Sequence, residues 1–253
     1  MTSRLGKIVG TGRLIIRIAA RSLRRARALW FSAIVTIDTA SHDSVDARRR
    51  ILSEIGPGVT LVAASKRQND ERIDALLKAG HRVFGENRVQ EADARWRMRR
   101  DIIPDLQLRL IGPLQTNKAE QAIALFDVIE TLDRPKLLKA LVKAVEKTGA
   151  PAPDLLIQVN TGDEPQKAGV SLDGLPGLLG LARETWPGRL TGLMCIPPAE
   201  EPAAPHFALL KALSDEYGLS QLSMGMSGDY ALAAKLGATH VRVGTALFGP
   251  RPD

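Results

Sequence analysis

From about Asp38 onward the chain repeats one pattern eight times: a short apolar run, a polar turn, then a longer stretch whose apolar positions recur at helical spacing. Strands that alternate with helices pair in parallel, because the chain needs a crossover to bring the next strand back in the same direction. The eight apolar runs are Thr60 to Ala64, Arg82 to Phe84, Leu106 to Ile111, Phe126 to Thr131, Asp154 to Asn160, Leu190 to Ile196, Gln221 to Met224 and His240 to Val243. Helical patterns read over Ser44 to Ile55, Asp70 to Gly80, Asn117 to Leu125, Arg134 to Gly149, Leu172 to Trp186, Pro205 to Tyr217 and Ser227 to Gly237. The stretch after Arg134 shows the expected punctuation, with Pro135 at its start, Gly149 past its end and Leu137, Leu138, Leu141, Val142 and Val145 on one stripe. The pattern predicts an α/β fold, a single (β/α)8 TIM-type barrel over residues 39–253, near the low end of that fold's size range. An open doubly wound sheet that bound a dinucleotide would need a glycine-rich turn after its first strand, and here that strand ends in Ala-Ser-Lys.

The formal net charge of +7 would invite a nucleic-acid reading if it lay on the barrel. It does not. Of 35 basic residues eight fall within positions 1–37, ahead of the first acid at Asp38, leaving 27 basic against 28 acidic residues for the rest. The predicted barrel is therefore close to neutral, and no nucleic-acid partner is expected. Residues 1–38 read as a basic N-terminal extension with apolar residues between the arginines. Such composition suits a flexible leader, or an amphipathic helix that targets an organelle or touches an anionic membrane. Its apolar run Ala28 to Ile37 is too short to span a bilayer, so no transmembrane segment is expected. A single cysteine, Cys195, excludes an internal disulfide framework and fits a cytoplasmic protein, with organellar targeting by the extension as the alternative. The four histidines show no metal-ligand spacing, and no metal is expected.

In a barrel of this type the loops that follow the strands build the site. The first strand ends in Lys66, where desolvation at a strand mouth would make an amine nucleophilic. The seventh and eighth end in Ser223-Met224-Gly225-Met226-Ser227 and Arg242-Val243-Gly244-Thr245. Small residues let backbone N–H groups approach phosphate oxygens, and hydroxyls add donors. Either turn alone is an ordinary helix cap; together, opposite a strand-one lysine, they point to a phosphorylated aldehyde. Pyridoxal 5'-phosphate (PLP) satisfies both requirements, as does a sugar phosphate held by a Schiff-base aldolase. A guanidinium cannot give up a proton, so an arginine facing a pyridine nitrogen would keep that nitrogen unprotonated and weaken the ring as an electron sink.

Six ordered motifs carry a family resemblance: Ala64-Ser65-Lys66; Phe84-Gly85-Glu86-Asn87 with Val89-Gln90-Glu91; Ile111-Gly112-Pro113-Leu114-Gln115-Thr116-Asn117-Lys118; Gly192-Leu193-Met194 with Ile196-Pro197; Leu222-Ser223-Met224-Gly225-Met226-Ser227; and Val241 through Gly249. Over residues 44 to 249 the chain resembles the pyridoxal-phosphate homeostasis proteins of the YggS/PROSC type. The resemblance implies a barrel like the N-terminal domain of alanine racemase, with PLP held as a Schiff base on Lys66. It further implies that Ser223, Gly244 and Thr245 hold the phosphate with Ser227 contributing, that Arg242 faces the pyridine nitrogen and that Asn87 lies beside the ring. The function implied is intracellular vitamin B6 homeostasis by storing, delivering or buffering PLP, with no catalytic residues. A monomer in transient contact with PLP-dependent apo-enzymes is the expected state.

Two departures stand out. The acidic residue usual after the second serine of the strand-seven motif is Gly228, and the histidine common two residues before Ile-Gly-Pro is Arg109. The alternative reading is a PLP-dependent amino-acid racemase or related fold-type III enzyme. That chemistry draws a second base, a tyrosine, from a separate β domain, whereas four residues follow Gly249 here and Tyr217 and Tyr230 fall in helical stretches. The carrier reading is therefore preferred.

Overall fold

All eight apolar runs form strands, and the strands pair in sequence order into a closed parallel barrel. The structure is a computed structural model that describes residues 39–164 and 166–250; the basic extension expected over 1–38 lies outside the described residues. The strands are β1 (Thr60–Ala64), β2 (Val83–Glu86), β3 (Gln107–Leu110), β4 (Val128–Leu132), β5 (Asp154–Val159), β6 (Leu190–Cys195), β7 (Gln221–Ser223) and β8 (His240–Val243). The helices described are α1 (Thr39–Ile55), α2 (Asp70–Lys78), α3 (Val89–Ile102), α4 (Ala119–Leu125), α5 (Pro135–Thr148), α6 (Leu175–Thr185), α7 (Ala203–Glu216), α8 (Tyr230–Lys235) and α9 (Thr245–Phe248), with a 3-10 turn at Thr116–Lys118 ahead of α4.

Local chemistry accounts for most of these boundaries. Asn69 caps α2 by accepting from the Arg72 N–H at 3.1 Å, and Asp70 and Glu71 occupy its first turn, where acids complement the helix dipole. Helix α5 starts at Pro135 and stops at Gly149, which takes the left-handed conformation (φ 64°) that glycine adopts without penalty. Its Leu137, Leu138, Leu141 and Ala144 are buried against the sheet. Val142 and Val145, read on the same stripe, are half-buried at its edge.

Several helices differ from expectation: α9 is not among the patterns read, α1 starts at Thr39 and not Ser44, α6 spans Leu175–Thr185 and not Leu172 to Trp186, and two more differ for a clear local reason. Helix α3 is absent from the patterns read in the sequence, because only Val89, Ala92 and Trp96 of its fourteen residues are buried and arginines fill much of the rest. Helix α8 is shorter than Ser227 to Gly237. Asp229 turns back to accept from the Met226 N–H at 2.6 Å, so residues 226–229 form a capped turn that points Ser227 elsewhere.

Closure between β1 and β8 sets the site. The register pairs Thr60 with His240, Val62 with Arg242 and Ala63 with Val243. The turn that begins at Ser65 is thereby brought level with the turn that begins at Gly244, at the carboxyl mouth of the barrel.

Candidate functional site

Lys66 sits in a turn fixed from below. The Gln68 N–H donates to the Ser65 carbonyl at 3.0 Å, and Arg67 adopts a left-handed backbone (φ 58°) that non-glycine residues seldom take outside functional turns. Glu86, fully buried at the end of β2, accepts from Ser65 Oγ at 2.7 Å, Trp96 Nε1 at 2.8 Å and Arg95 at 3.1 Å. The same Arg95 guanidinium donates to the Ser65 carbonyl at 3.0 Å and the Gln68 carbonyl at 2.9 Å, so it spans the turn from both sides of Lys66. Helix α3, invisible in the sequence pattern, carries both Arg95 and Trp96. Through these two side chains the helix braces the lysine turn.

Across the mouth, the Gly244 and Ala246 N–H groups donate to Ser227 Oγ at 3.3 Å and 3.2 Å. Ser227 Oγ thus stands at the backbone donors on either side of Thr245, where an oxygen of a bound anion would also be received. Gly225 makes this approach possible: its backbone is left-handed (φ 90°), and a Cβ there would fall 2.5 Å from that of Ala233. On the opposite rim Gly112 lets the Asn87 backbone pass, since a Cβ at Gly112 would sit 2.3 Å from the Asn87 carbonyl oxygen.

Lysine turn and cradle face one cavity of about 420 Å³, lined by Lys66, Asn87, Ser227, Arg242, Gly244 and Thr245 and walled by Ala64, Ile111, Ile196 and Met226. Lys66 and Asn87 also line a second, outer cleft of about 820 Å³ that reaches Gln115, Lys118 and Arg134. Lys66 therefore stands where the two spaces meet.

Arg242 forms the cavity floor. It donates to Ser223 Oγ at 2.8 Å and to the Cys195 carbonyl at 2.8 Å. Ser223 Oγ in turn donates to Glu130 at 2.5 Å, and the other Glu130 oxygen accepts from Arg109 Nε at 2.5 Å. Burial alone would raise the Glu130 carboxyl, but the Arg109 and Arg242 guanidiniums and the Ser223 hydroxyl hold it below the ordinary carboxylate value. Burial pushes the Cys195 thiol up to about 12, so this cysteine is a neutral, closed-off neighbour.

Of the seven residues read from the sequence, six line the cavity. Ser223 does not. It is fully buried beneath Arg242 with its hydroxyl committed to Glu130 and stands outside the cavity, whereas Ser227, given only a contributing role above, lines it. The six-residue motif of β7 with its loop could not separate the two serines, because they differ in orientation and not in type. Glu86, Arg95, Arg109 and Glu130 were missed as supports of the site. For Arg109 and Glu130 the available signal was a charged residue inside an apolar strand run, where a parallel barrel normally has none; Glu86 at the end of β2 and Arg95 on helix α3 offered no such signal.

A parallel eight-stranded barrel with a strand-one lysine facing a strand-seven and strand-eight anion cradle defines a class of protein, and the family model described as "Alanine racemase, N-terminal domain" matches residues 43–252. Alanine racemase from Corynebacterium glutamicum shares the fold (TM-score 0.64, 19% identity, 84% of this chain and 62% of that one). The chain belongs, within that class, to the pyridoxal phosphate homeostasis protein family. The protein of that name from Aquifex aeolicus is 39% identical over 200 residues, 76% of this chain and 86% of that one. PipY of Synechococcus elongatus, solved with PLP bound, superposes with a TM-score of 0.75 at 36% identity, over 81% of this chain and all of PipY.

Proposed function

We propose that this protein binds PLP through Lys66 and serves intracellular vitamin B6 homeostasis by holding and releasing it. The observation that carries the reading is the single cavity in which an amine, a hydroxyl-and-backbone cradle and a fixed guanidinium stand around apolar walls. The residues fit the group. Lys66 supplies the covalent anchor, Ser227, Gly244 and Thr245 receive the phosphate, Arg242 faces the ring nitrogen, and Asn87 with Ile111, Ile196 and Met226 encloses the ring. When bound, PLP brings an aldehyde that an amine can capture reversibly. The outer cleft at Lys66 supports release, since an incoming amine can reach the anchor without passing through the cradle.

Carriage is preferred over racemisation on the site's own chemistry. Arg242 does not lend a proton to the ring, and Lys66 is the titratable proton carrier among the described residues that line the inner cavity. Tyr230 is turned outward to Glu54, and Tyr217 lies at the end of α7. The support from related proteins is that they are named for homeostasis and that PipY holds PLP. The test is incubation with PLP followed by visible absorption and amino-acid turnover. A yellow protein that does not interconvert D- and L-alanine meets the proposal; turnover abolished by Lys66→Ala would favour the enzyme, and no absorption band would overturn both.

A further inference from the structure

Four polar side chains from β3, β4, β7 and β8 form one hydrogen-bonded line through the barrel interior. Arg109, Glu130, Ser223 and Arg242 are 1%, 0%, 0% and 4% exposed. Arg109 also reaches across the barrel from β3 to Gln221 on β7, at 3.2 Å. Barrels of this kind fill their interiors mainly with bulky branched apolar residues. A buried ion pair adds little net stability, because desolvation offsets the attraction. Stability alone does not account for the line.

We infer that Glu130, clamped by Arg109, is a positioning residue that acts through Ser223 to hold Arg242 at the ring-nitrogen end of the cavity, keeping that nitrogen of bound PLP an unprotonated acceptor. The inference rests on the PLP reading above. Arg242 has only N–H donors, so Ser223 must turn a lone pair toward it and its single proton the other way. The proton goes to Glu130, whose second oxygen faces the Arg109 Nε–H. Every position in the line is thus determined by Glu130 being an acceptor at both oxygens. A glutamine there could not serve both neighbours. Its amide nitrogen would meet either the Arg109 donor, or the Ser223 oxygen, which would then be left with a proton and no acceptor.

The surrounding charges agree. His240 on β8 is pushed down to about 4, by burial first and then by Arg109 and Arg242, with Glu130 pulling the other way. It donates no charge to the interior near neutrality, and neither does the Cys195 thiol on β6 or Gln221 on β7. Asp229, beyond β7, is engaged by the Met226 N–H and adds its charge to the burial that keeps the Cys195 thiol neutral. Glu130 is the negative partner of the two arginines within the line.

The test compares wild type, Ser223→Ala and Glu130→Gln as full-length protein with added PLP. Wild type must show the visible band and a borohydride-reducible bond to Lys66; its failure to do so would overturn the cofactor reading and the inference with it. Given that bond, both variants are expected to bind PLP about tenfold more weakly, a change typical of a broken buried charged hydrogen bond. The pH midpoint of the visible band is expected to fall by roughly half a unit or more. A mobile Arg242 lets the ring nitrogen take a proton, and that charge disfavours a second one at the Lys66 nitrogen. Ser223→Ala removes a single buried oxygen and so keeps the test open if Glu130→Gln does not fold. An unmoved midpoint in folded variants, with or without weaker binding, overturns the positioning role.

Discussion

The lysine turn shows how much of a site is built by residues that never enter it. Arg95 is the common strut: it donates to two carbonyls of the turn and pairs with Glu86, whose second oxygen has no hydrogen-bond partner among the described residues. Arg95→Ala leaves a fully buried carboxylate without that countercharge, and breaking a buried pair from one side costs about 3 kcal/mol or more. Urea unfolding should register that loss, and the variant's PLP should wash off faster because Lys66 is no longer held at the cavity edge. Ser227→Ala is a milder change of a different kind. It removes the cradle hydroxyl, so the preference for PLP over dephosphorylated pyridoxal should fall roughly fivefold to tenfold, a hydrogen bond's worth, while thermal stability changes little. Equal affinities of the variant and wild type for both compounds would place the phosphate elsewhere.

At the scale of elements, the strands were legible because each is a short apolar run bounded by turn residues, and their ends fell within about two residues of expectation. The helix Val89–Ile102 was not, since three buried positions among many arginines make no visible stripe and Arg88 offers no capping side chain. Lys66, Asn87, Arg242, Gly244 and Thr245 could be expected around one cavity because strand ends in a barrel converge whatever the details. The order of Ser223 and Ser227 could not, because it depends on the turn closed by Asp229. Nor could the Arg109–Glu130 pair, which the register of the neighbouring strands β3 and β4 brings together by setting Arg109 beside Val128. The loop after β3 offers a check on the convergence argument. Gly112→Ala drives a Cβ into the Asn87 backbone, which must shift, and a loss of about 2 kcal/mol with weakened PLP binding is expected by calorimetry and absorption.

For the whole molecule, two histidines set an acid limit. His81 is pushed down to about 4, by burial first, while donating to the Val83 carbonyl at 2.8 Å and receiving Arg48 at 3.4 Å; His240 falls to about 4 as well. Both are neutral in the fold and take protons near 6.5 when unfolded, so the unfolded state binds more protons between those values. Their contribution to stability is complete above about 6.5 and drains away as pH falls toward about 4. Urea midpoints should drop across that window by the equivalent of a few kcal/mol, roughly, and His81→Gln should flatten the slope; a midpoint constant from pH 7.5 to 4.5, roughly the window those shifts define, would contradict the account. The central claim is narrower and rests on one nitrogen. After incubation with PLP and reduction with borohydride, peptide mass spectrometry should find one cofactor-sized adduct, on Lys66, and none in Lys66→Ala. An adduct spread over other lysines, or persisting in that variant at the same level, would contradict it.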